Sequence, residues 1–418
     1  MPKGSSERER LMNQVIKEIL KLSRRFEDAD FLPNVLGDNY HEVLIDEIPV
    51  VLFGAGSTGE RLCKGLKVHN AHVTCFCDND PETVGGYFSG LPVISIEDLM
   101  ESHPEGLIVI TASEPYAGQV RDRLAQSGFS SDRIHTLSQD HLIYYRNVAK
   151  LHWSYVDLNT YAQQLQDTYD LFRDAKSKDL FTHRMALLSG GFDYDSFQMF
   201  IQLFADMTFR ADSNFFSNPR YDDDHFYFNS DFFPLKDNEV FVNVGALLGN
   251  CALEFAKSCR ARGLQYKEII NFEPDPNNFL QLSTNMNQLP NVKCLQYGLW
   301  SHKSLLRFAN PNQSGAGTPG WLDDEGALEV EVISLDELLP DAEISLIKMD
   351  VEGAEMEALR GAANTIRQNR PKLAISVYHK RDDIFEIPLY IRELHPGYKF
   401  YLRHHSTTFS ETVLFATP

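Results

Sequence analysis

The chain predicts an α/β protein built from two Rossmann-like parallel-sheet domains joined by a mainly helical connector. Three observations carry this. Two separate stretches alternate short apolar runs with helix-period segments, each opens on an apolar run that enters a glycine turn, and the second closes on two apolar runs joined by a short polar segment. Alternation of this kind needs crossover connections and therefore parallel pairing. The 418 residues exceed one ordinary core. The expected division is an N-terminal helical segment over 1–47, a Rossmann-like nucleotide-binding domain over 48–138, a partly helical connector over 139–235 and a second domain over 236–418.

Taken in order, residues 5–27 form a charged amphipathic pattern with Leu11, Val15, Ile19 and Leu22 on one side. Such a helix packs on its own protein or on a second copy, which would make a homo-oligomer. The first domain has strand patterns at 50–53, 72–77 and 107–111 and a weaker one at 133–137. The second has them at 240–244, 269–273, 292–297, 344–349, 373–378, 398–402 and 412–416. Between these, Phe279, Leu282, Met286 and Leu289 form one helical stripe, and Met356, Leu359, Ala363 and Ile366 another. The polar segment 404–411 is too short for a crossover helix and predicts an antiparallel hairpin. Within the connector, 157–175 is helix-like, and an aromatic, Asp-rich run from Arg220 to Phe233 follows. That run either caps a ligand or packs between domains.

Composition narrows the class. With 43% hydrophobic and 23% charged residues there is ample core, and a formal charge of -20 argues against nucleic acid or an anionic membrane surface as partner. No apolar run reaches the length of a membrane span, and the N-terminus lacks an apolar signal core. The six cysteines make no Cys-x-x-Cys pair, as expected for reduced thiols in a cytoplasmic protein.

The most informative segment is Glu239-Val-Phe-Val-Asn-Val-Gly-Ala-Leu-Leu-Gly249, followed by a helix and then Ile269-Ile-Asn-Phe-Glu273. A strand entering a two-glycine turn, with the next strand ending in a carboxylate, suits a nucleoside cofactor whose ribose hydroxyls the acid accepts. Gly245 and Gly249 do not form Gly-x-Gly-x-x-Gly, and the spacing fits S-adenosylmethionine better than a dinucleotide. Ligands in open α/β sheets bind at the carboxyl ends of strands. Those ends supply Asn243, Gly245 and Gly249 under the methionine moiety, Asn250 or Asp350 for its amino group, Glu273 for the ribose, and Leu299 and Trp300 for the adenine, with core packing as the alternative for Trp300. Two further groups would serve catalysis. Asp350 opens a run with Glu352 and Glu355 in which capping of a helix competes with chemistry. His379 follows the fifth strand, where an imidazole of ordinary pKa, about 6.5, can take a hydroxyl proton near neutrality. Asp350 and Glu352 with His379, His404 or His405 match no metal-ligand spacing, and no metal is expected.

These blocks resemble the FkbM family of S-adenosylmethionine-dependent methyltransferases. The resemblance runs from about Phe228 to the C-terminus through Glu239 to Gly249, Phe272 to Pro276, Val332 to Leu339, Ile347 to Glu355, Ser376 to His379, Tyr398 to His405 and Glu411 to Leu414. It implies a class I methyltransferase fold ending in an antiparallel hairpin, and O-methylation of a hydroxyl on a sugar, glycan or secondary metabolite. The family usually carries Asp where this chain has Asn243, which removes a charge near the cationic donor. Acceptor specificity would sit in the connector and in the loop 310–326, a candidate lid.

The first domain carries Gly54-Ala-Gly56-Ser-Thr-Gly59 between a strand and a helix, with Asp78 ending the next strand. That is a dinucleotide fingerprint with the acid at ribose distance. Together with Asp78 to Pro81, Gly90 to Val93 and 108–112, it looks like the N-terminal domains of sugar acyltransferases, which implies a nucleotide or nucleotide sugar as ligand. Glycines kept only for helix–strand packing are the alternative. Two other functions compete: a NAD-dependent sugar-nucleotide oxidoreductase, against which no tyrosine is followed four residues later by lysine, and a non-catalytic nucleotide-binding scaffold.

Overall fold

A computed structural model describes residues 14–23, 35–36, 43, 48–68, 71–112, 115–137, 158, 160–189, 194–205, 227–228, 230–309, 321–322, 326, 328–406 and 410–418. Of the expected features, Leu11, the residues 206–226 and most of the loop 310–326 lie outside the described residues. The chain divides into two compact units, one of residues 22–155 and 190–199, the other of 1–21, 156–189 and 200–418.

The first unit holds a six-stranded sheet of β1 (Val50–Phe53), β2 (Val73–Cys77), β3 (Tyr87–Phe88), β4 (Leu91–Ile94), β5 (Leu107–Ile110) and β6 (Ile134–Thr136), ordered β3-β4-β2-β1-β5-β6. All pairings are parallel except β3 with β4. β1 and β5 are buried at every position, as central strands covered on both faces must be. The four strands expected here are present. The β3–β4 hairpin was not expected; its strands are too short for a periodic signal.

The second unit holds β7 (Glu239–Val244), β8 (Tyr266–Phe272), β9 (Val292–Leu295), β10 (Gly298–Leu299), β11 (Ser304–Ala309), β12 (Trp321–Leu322), β13 (Leu328–Ile333), β14 (Leu346–Met349), β15 (Lys372–Ser376), β16 (Lys399–His404) and β17 (Thr412–Thr417). Seven form the main sheet, ordered β16-β17-β15-β14-β7-β8-β9. Its members are parallel except β17, which runs antiparallel between β15 and β16. This is the topology expected, hairpin included. A second sheet, ordered β10-β13-β11-β12, is inserted between β9 and β14.

Local chemistry fixes the helices that support the site. Asp275 caps the helix Pro276–Met286 by accepting the amides of Asn277 (2.8 Å) and Asn278 (3.0 Å), with Pro276 in its first turn. The stripe from Met356 to Ile366 is two helices, Glu355–Arg360 and Ala363–Asn369. They part at Gly361, where a Cβ would overlap the carbonyl oxygen of Trp300. The helical connector pattern is resolved into Ala162–Leu171 and Ala175–Ser189, both in the second unit. The latter is buried over most of its length and runs along β16, where Ser177 Oγ accepts the Leu402 amide at 2.9 Å. The N-terminal helix Gln14–Ser23 buries Val15, Ile16 and Ile19, and the Val15 amide donates to Gln166 Oε1 at 3.2 Å, so it packs on its own chain.

Candidate active site

At the carboxyl end of β7 the chain turns through Gly245 (φ +71°), Leu247 (φ +49°) and Gly249 (φ +90°) into the helix Asn250–Ala261. A Cβ on Gly245 would collide with the carbonyl oxygen of Asp350, and one on Gly249 would reach 2.5 Å from Met286 Cε. The two glycines therefore clamp this turn to the end of β14 and to the helix Pro276–Met286.

Glu273, after β8, lies directly against that turn. One carboxylate oxygen accepts the Leu247 amide at 2.9 Å and the other the Asp275 amide at 3.1 Å. The group is 5% exposed. Burial pushes its pKa up to about 7 against the pull of the two amides, and the neighbouring charge of Asp275 adds to the rise. Each oxygen keeps a lone pair for a hydroxyl donor.

The structure revises several expectations around this turn. Asn243 is fully buried in the middle of the sheet and donates to Asn271 Oδ1 at 2.9 Å; its own Oδ1 has no hydrogen-bond partner. Its side chain therefore bonds to the neighbouring strand β8. Trp300 packs against the cluster of Phe308, Val330 and Val332 beneath the small sheet, which favours core over adenine contact. Leu299 is 2% exposed on β10. Asn250 is exposed at the first position of its helix.

The carboxyl ends of β14 and β15 supply the second half of the site. His379 Nδ1 pairs with Glu355 Oε1 at 2.8 Å, while its Nε2 lies 3.5 Å from Asp350 Oδ1 and 3.6 Å from Glu352 Oε2. Glu355 is fully buried, and its Oε1 also accepts the Val351 amide at 2.9 Å. Burial alone would lower the imidazole's pKa; the three carboxylates overrule it and push it up to about 10. The ordinary titration expected of His379 is thus corrected: in this arrangement it carries its proton at neutral pH. Asp350 feels burial, which raises its pKa, but Lys348, 3.8 Å from Oδ2, and His379 hold it below the usual carboxylate range. The Tyr378 hydroxyl stands 3.2 Å from both Asp350 Oδ1 and Glu411 Oε1, donating to one at a time. His404 and His405 are instead buried, at 1% and 5% exposure; His404 Nδ1 pairs with Thr412 Oγ1 and its ring lies on Phe200.

The fold thus brings together Gly245, Gly249, Glu273, Asp350 and His379, and adds Lys348, Glu355 and Tyr378. Glu355 belongs to the carboxylate run, where helix capping is the competing reading; its partner His379 lies 24 residues on, and no local pattern announces the pair.

In the first unit, Asp78 Oδ2 accepts the Ala55 amide at 2.8 Å, and Oδ1 accepts the amides of Asn79 and Asp80. A Cβ on Gly54 would meet Thr111 Oγ1 at 2.5 Å, and one on Gly59 would overlap the Gly54 carbonyl, whereas Gly56 has nothing within 4 Å. All six cysteines are free, and no helix among the described residues is long and apolar enough to cross a membrane.

Residues 240–400 match the family model described as the methyltransferase FkbM domain. The hexuronic acid methyltransferase AglP of Haloferax volcanii is 30% identical over 136 residues, which are 32% of this chain and 53% of that protein. The redox-sensing transcriptional repressor Rex of Desulfitobacterium hafniense is 31% identical over 84 residues, 19% of this chain and 40% of that protein. The chain therefore spans about half the length of the curated relatives it matches. Among solved structures, the FkbM methyltransferase of Methylobacillus flagellatus KT is similar in fold, with a TM-score of 0.57 and 18% identity over 96% of this chain and 99% of that one.

Proposed function

We propose, from the match of residues 240–400 to the FkbM methyltransferase domain, that this chain transfers a methyl group from S-adenosylmethionine to a hydroxyl of a saccharide-type acceptor. The observation that carries the reading is the clamp between Gly245 and Asp350. It sets the buried Glu273, the natural partner of a ribose, at the same carboxyl end of the sheet as the cluster of Asp350, Glu355 and His379. Methyl transfer needs little more from a protein than a held donor, an acceptor behind the methyl and a place for the leaving proton. Glu273 and the turn 245–249 hold the donor. Asp350, kept ionised by Lys348, receives the acceptor's proton, and Glu355 fixes the orientation of His379. The name of the Haloferax relative supports a uronic acid or related sugar as acceptor.

The first unit serves as an auxiliary site for a nucleotide or nucleotide sugar. Support comes from Gly56, which alone of the three fingerprint glycines has open space where a phosphate would approach. The oxidoreductase alternative gains no catalytic pair among the described residues. Calorimetric titration of the purified chain with S-adenosylmethionine, NAD and a uridine-diphosphate sugar tests both sites. The donor is expected to bind wild type and to be lost in Glu273→Ala. Heat from NAD alone would overturn the methyltransferase reading.

A further inference from the structure

β15 and β17 are antiparallel neighbours, with Ser376 opposite Val413. The pairing runs on past the end of β15, where the Val377 amide donates to the Thr412 carbonyl at 2.9 Å. One step further it sets Tyr378 against Glu411. The Tyr378 hydroxyl lies 3.2 Å from Glu411 Oε1 on one side and 3.2 Å from Asp350 Oδ1 on the other. Glu411 stands in the left-handed region, at φ +58°, with its carbonyl accepting the His405 amide at 3.0 Å. Glycine would make that turn without strain; the chain places a carboxylate there instead, and the phenol meets it.

We propose that Tyr378 and Glu411 form a proton exit from Asp350, the phenol passing on to Glu411 the proton that Asp350 takes from the methyl acceptor. The inference rests on the methyl transfer proposed above and adds two residues to it. Neither touches the sugar; both act through Asp350.

The surroundings of Asp350 explain why an exit is needed and why it lies here. Lys348, an ammonium 3.8 Å from Oδ2, and His379, protonated at neutral pH with Nε2 3.5 Å from Oδ1, take no further proton. The Ser376 hydroxyl also favours the ionised Asp350 but is fully buried and leads nowhere. The 22% of the Asp350 side chain that stays open is the side by which an acceptor hydroxyl has to enter. Among the described residues bonded or paired to Asp350, that leaves Tyr378, whose hydroxyl can accept one proton while donating another. Glu411, half-buried at the hairpin turn, then faces water. Burial, followed by the charges of Asp350 and Glu411, pushes the phenol's pKa well above its ordinary range, so no tyrosinate forms and the two proton shifts occur together.

In the reaction the acceptor's O–H bond breaks toward Asp350 as its oxygen bonds the methyl carbon and the carbon–sulfur electron pair returns to sulfur. The Asp350 proton then moves to the Tyr378 oxygen while the phenol's own proton moves to Glu411 Oε1 and on to water. Rotation of the hydroxyl back toward Glu411 resets the pair.

The full chain is tested by two readouts. With isotopically labelled tyrosine, the carbon–oxygen stretch of Tyr378 is the infrared band lost in Tyr378→Phe, a change that keeps the ring on His379, 4.0 Å between centroids. Asp350→Asn, a neutral stand-in for protonated Asp350, should shift that band as the hydroxyl turns wholly to Glu411, and should shift it less in a Glu411→Ala background. A band that Asp350→Asn leaves in place, or moves equally without Glu411, overturns the relay. Turnover is read as S-adenosylhomocysteine formed with glucuronic acid as acceptor. Tyr378→Phe and Glu411→Gln should each lower kcat about 10- to 100-fold, with the KM for S-adenosylmethionine unchanged and the double variant no worse than either alone. An unchanged kcat overturns the relay and leaves the methyl transfer standing. Where glucuronic acid is not methylated, the infrared band decides alone. A chain that binds no S-adenosylmethionine in calorimetry loses the methyl transfer and the relay together.

Discussion

In the N-terminal sheet the carboxylate after β2, Asp78, accepts the Ala55 amide of the first turn at 2.8 Å; in the C-terminal sheet the carboxylate after β8, Glu273, accepts the Leu247 amide of the corresponding turn at 2.9 Å. The two turns share this brace and differ in what surrounds it. Asp78 is half-buried and spends its second oxygen on its own following turn. Glu273 is buried, with a pKa raised to about 7. The glycines diverge as well. Gly54 and Gly59 are used up in contacts within their own turn and sheet, leaving Gly56 open, whereas Gly245 presses the turn onto the backbone of Asp350. The same pattern of small residues and one acid thus makes an open turn in one sheet and a clamp between two strand ends in the other. At the clamp, Asp350, Glu355 and His379 come together.

The largest expected effect comes from breaking the clamp. Gly245→Val places a branched side chain at φ +71° against the Asp350 carbonyl. It should cost the C-terminal unit about 3 kcal/mol or more, read as a lower urea midpoint; an unchanged midpoint would show that the two strand ends are not pressed together. Next is Glu273→Ala, which leaves the Leu247 and Asp275 amides without their acceptor. S-adenosylmethionine affinity should fall roughly 10- to 100-fold, at about 1.5–3 kcal/mol for a hydrogen bond to a charged group, while Asp78→Ala leaves it unchanged. Equal losses in both variants would erase the distinction between the sheets.

A pH series sharpens the comparison further. Glu273 has a folded-state pKa raised to about 7, so between the ordinary carboxylate range and pH 7 the folded chain binds more protons than the unfolded one. Its contribution to stability is present at low pH and lost as pH rises through that window. Ribose hydroxyls favour the ionised form, so donor affinity should strengthen from pH 5.5 to 7.5 (values chosen to bracket about 7), by up to about tenfold per pH unit below the pKa. A flat calorimetric profile would deny Glu273 this role. The smallest effect belongs to Gly56→Ala, with nothing within 4 Å of its Cβ: thermal stability should stay within about 0.5 kcal/mol, and only affinity for a phosphate-bearing ligand of the first unit should drop.

Strands buried on both faces were legible because unbroken apolar runs (β1, β5) or largely apolar ones with one or two polar positions (β7, β14, β15), bounded by turns, leave few alternatives. The antiparallel ending was legible because the polar segment 404–411 is too short for a crossover helix, and Glu273 because an acid ends an apolar strand before proline. The small sheet was not. Its strands β11 and β13 alternate half-buried with exposed positions, and β10 and β12 are two residues each. The helix Ala175–Ser189 was only touched by the expected connector helix, because burial nearly all round leaves no amphipathic stripe. The burial of Asn243 was not legible, since its partner Asn271 comes from register across strands. The pairing of His379 with Glu355 is equally non-local.

One consequence concerns synthesis. β17, residues 412–417, sits between β15 and β16 and hydrogen-bonds to both. As the ribosome extends the chain, β15 and β16 emerge earlier and wait with bare edges, which are templates for pairing with other chains. The second unit can close only once this inner strand has cleared the exit tunnel, so a nascent chain halted before Thr412 should be the form that a chaperone holds.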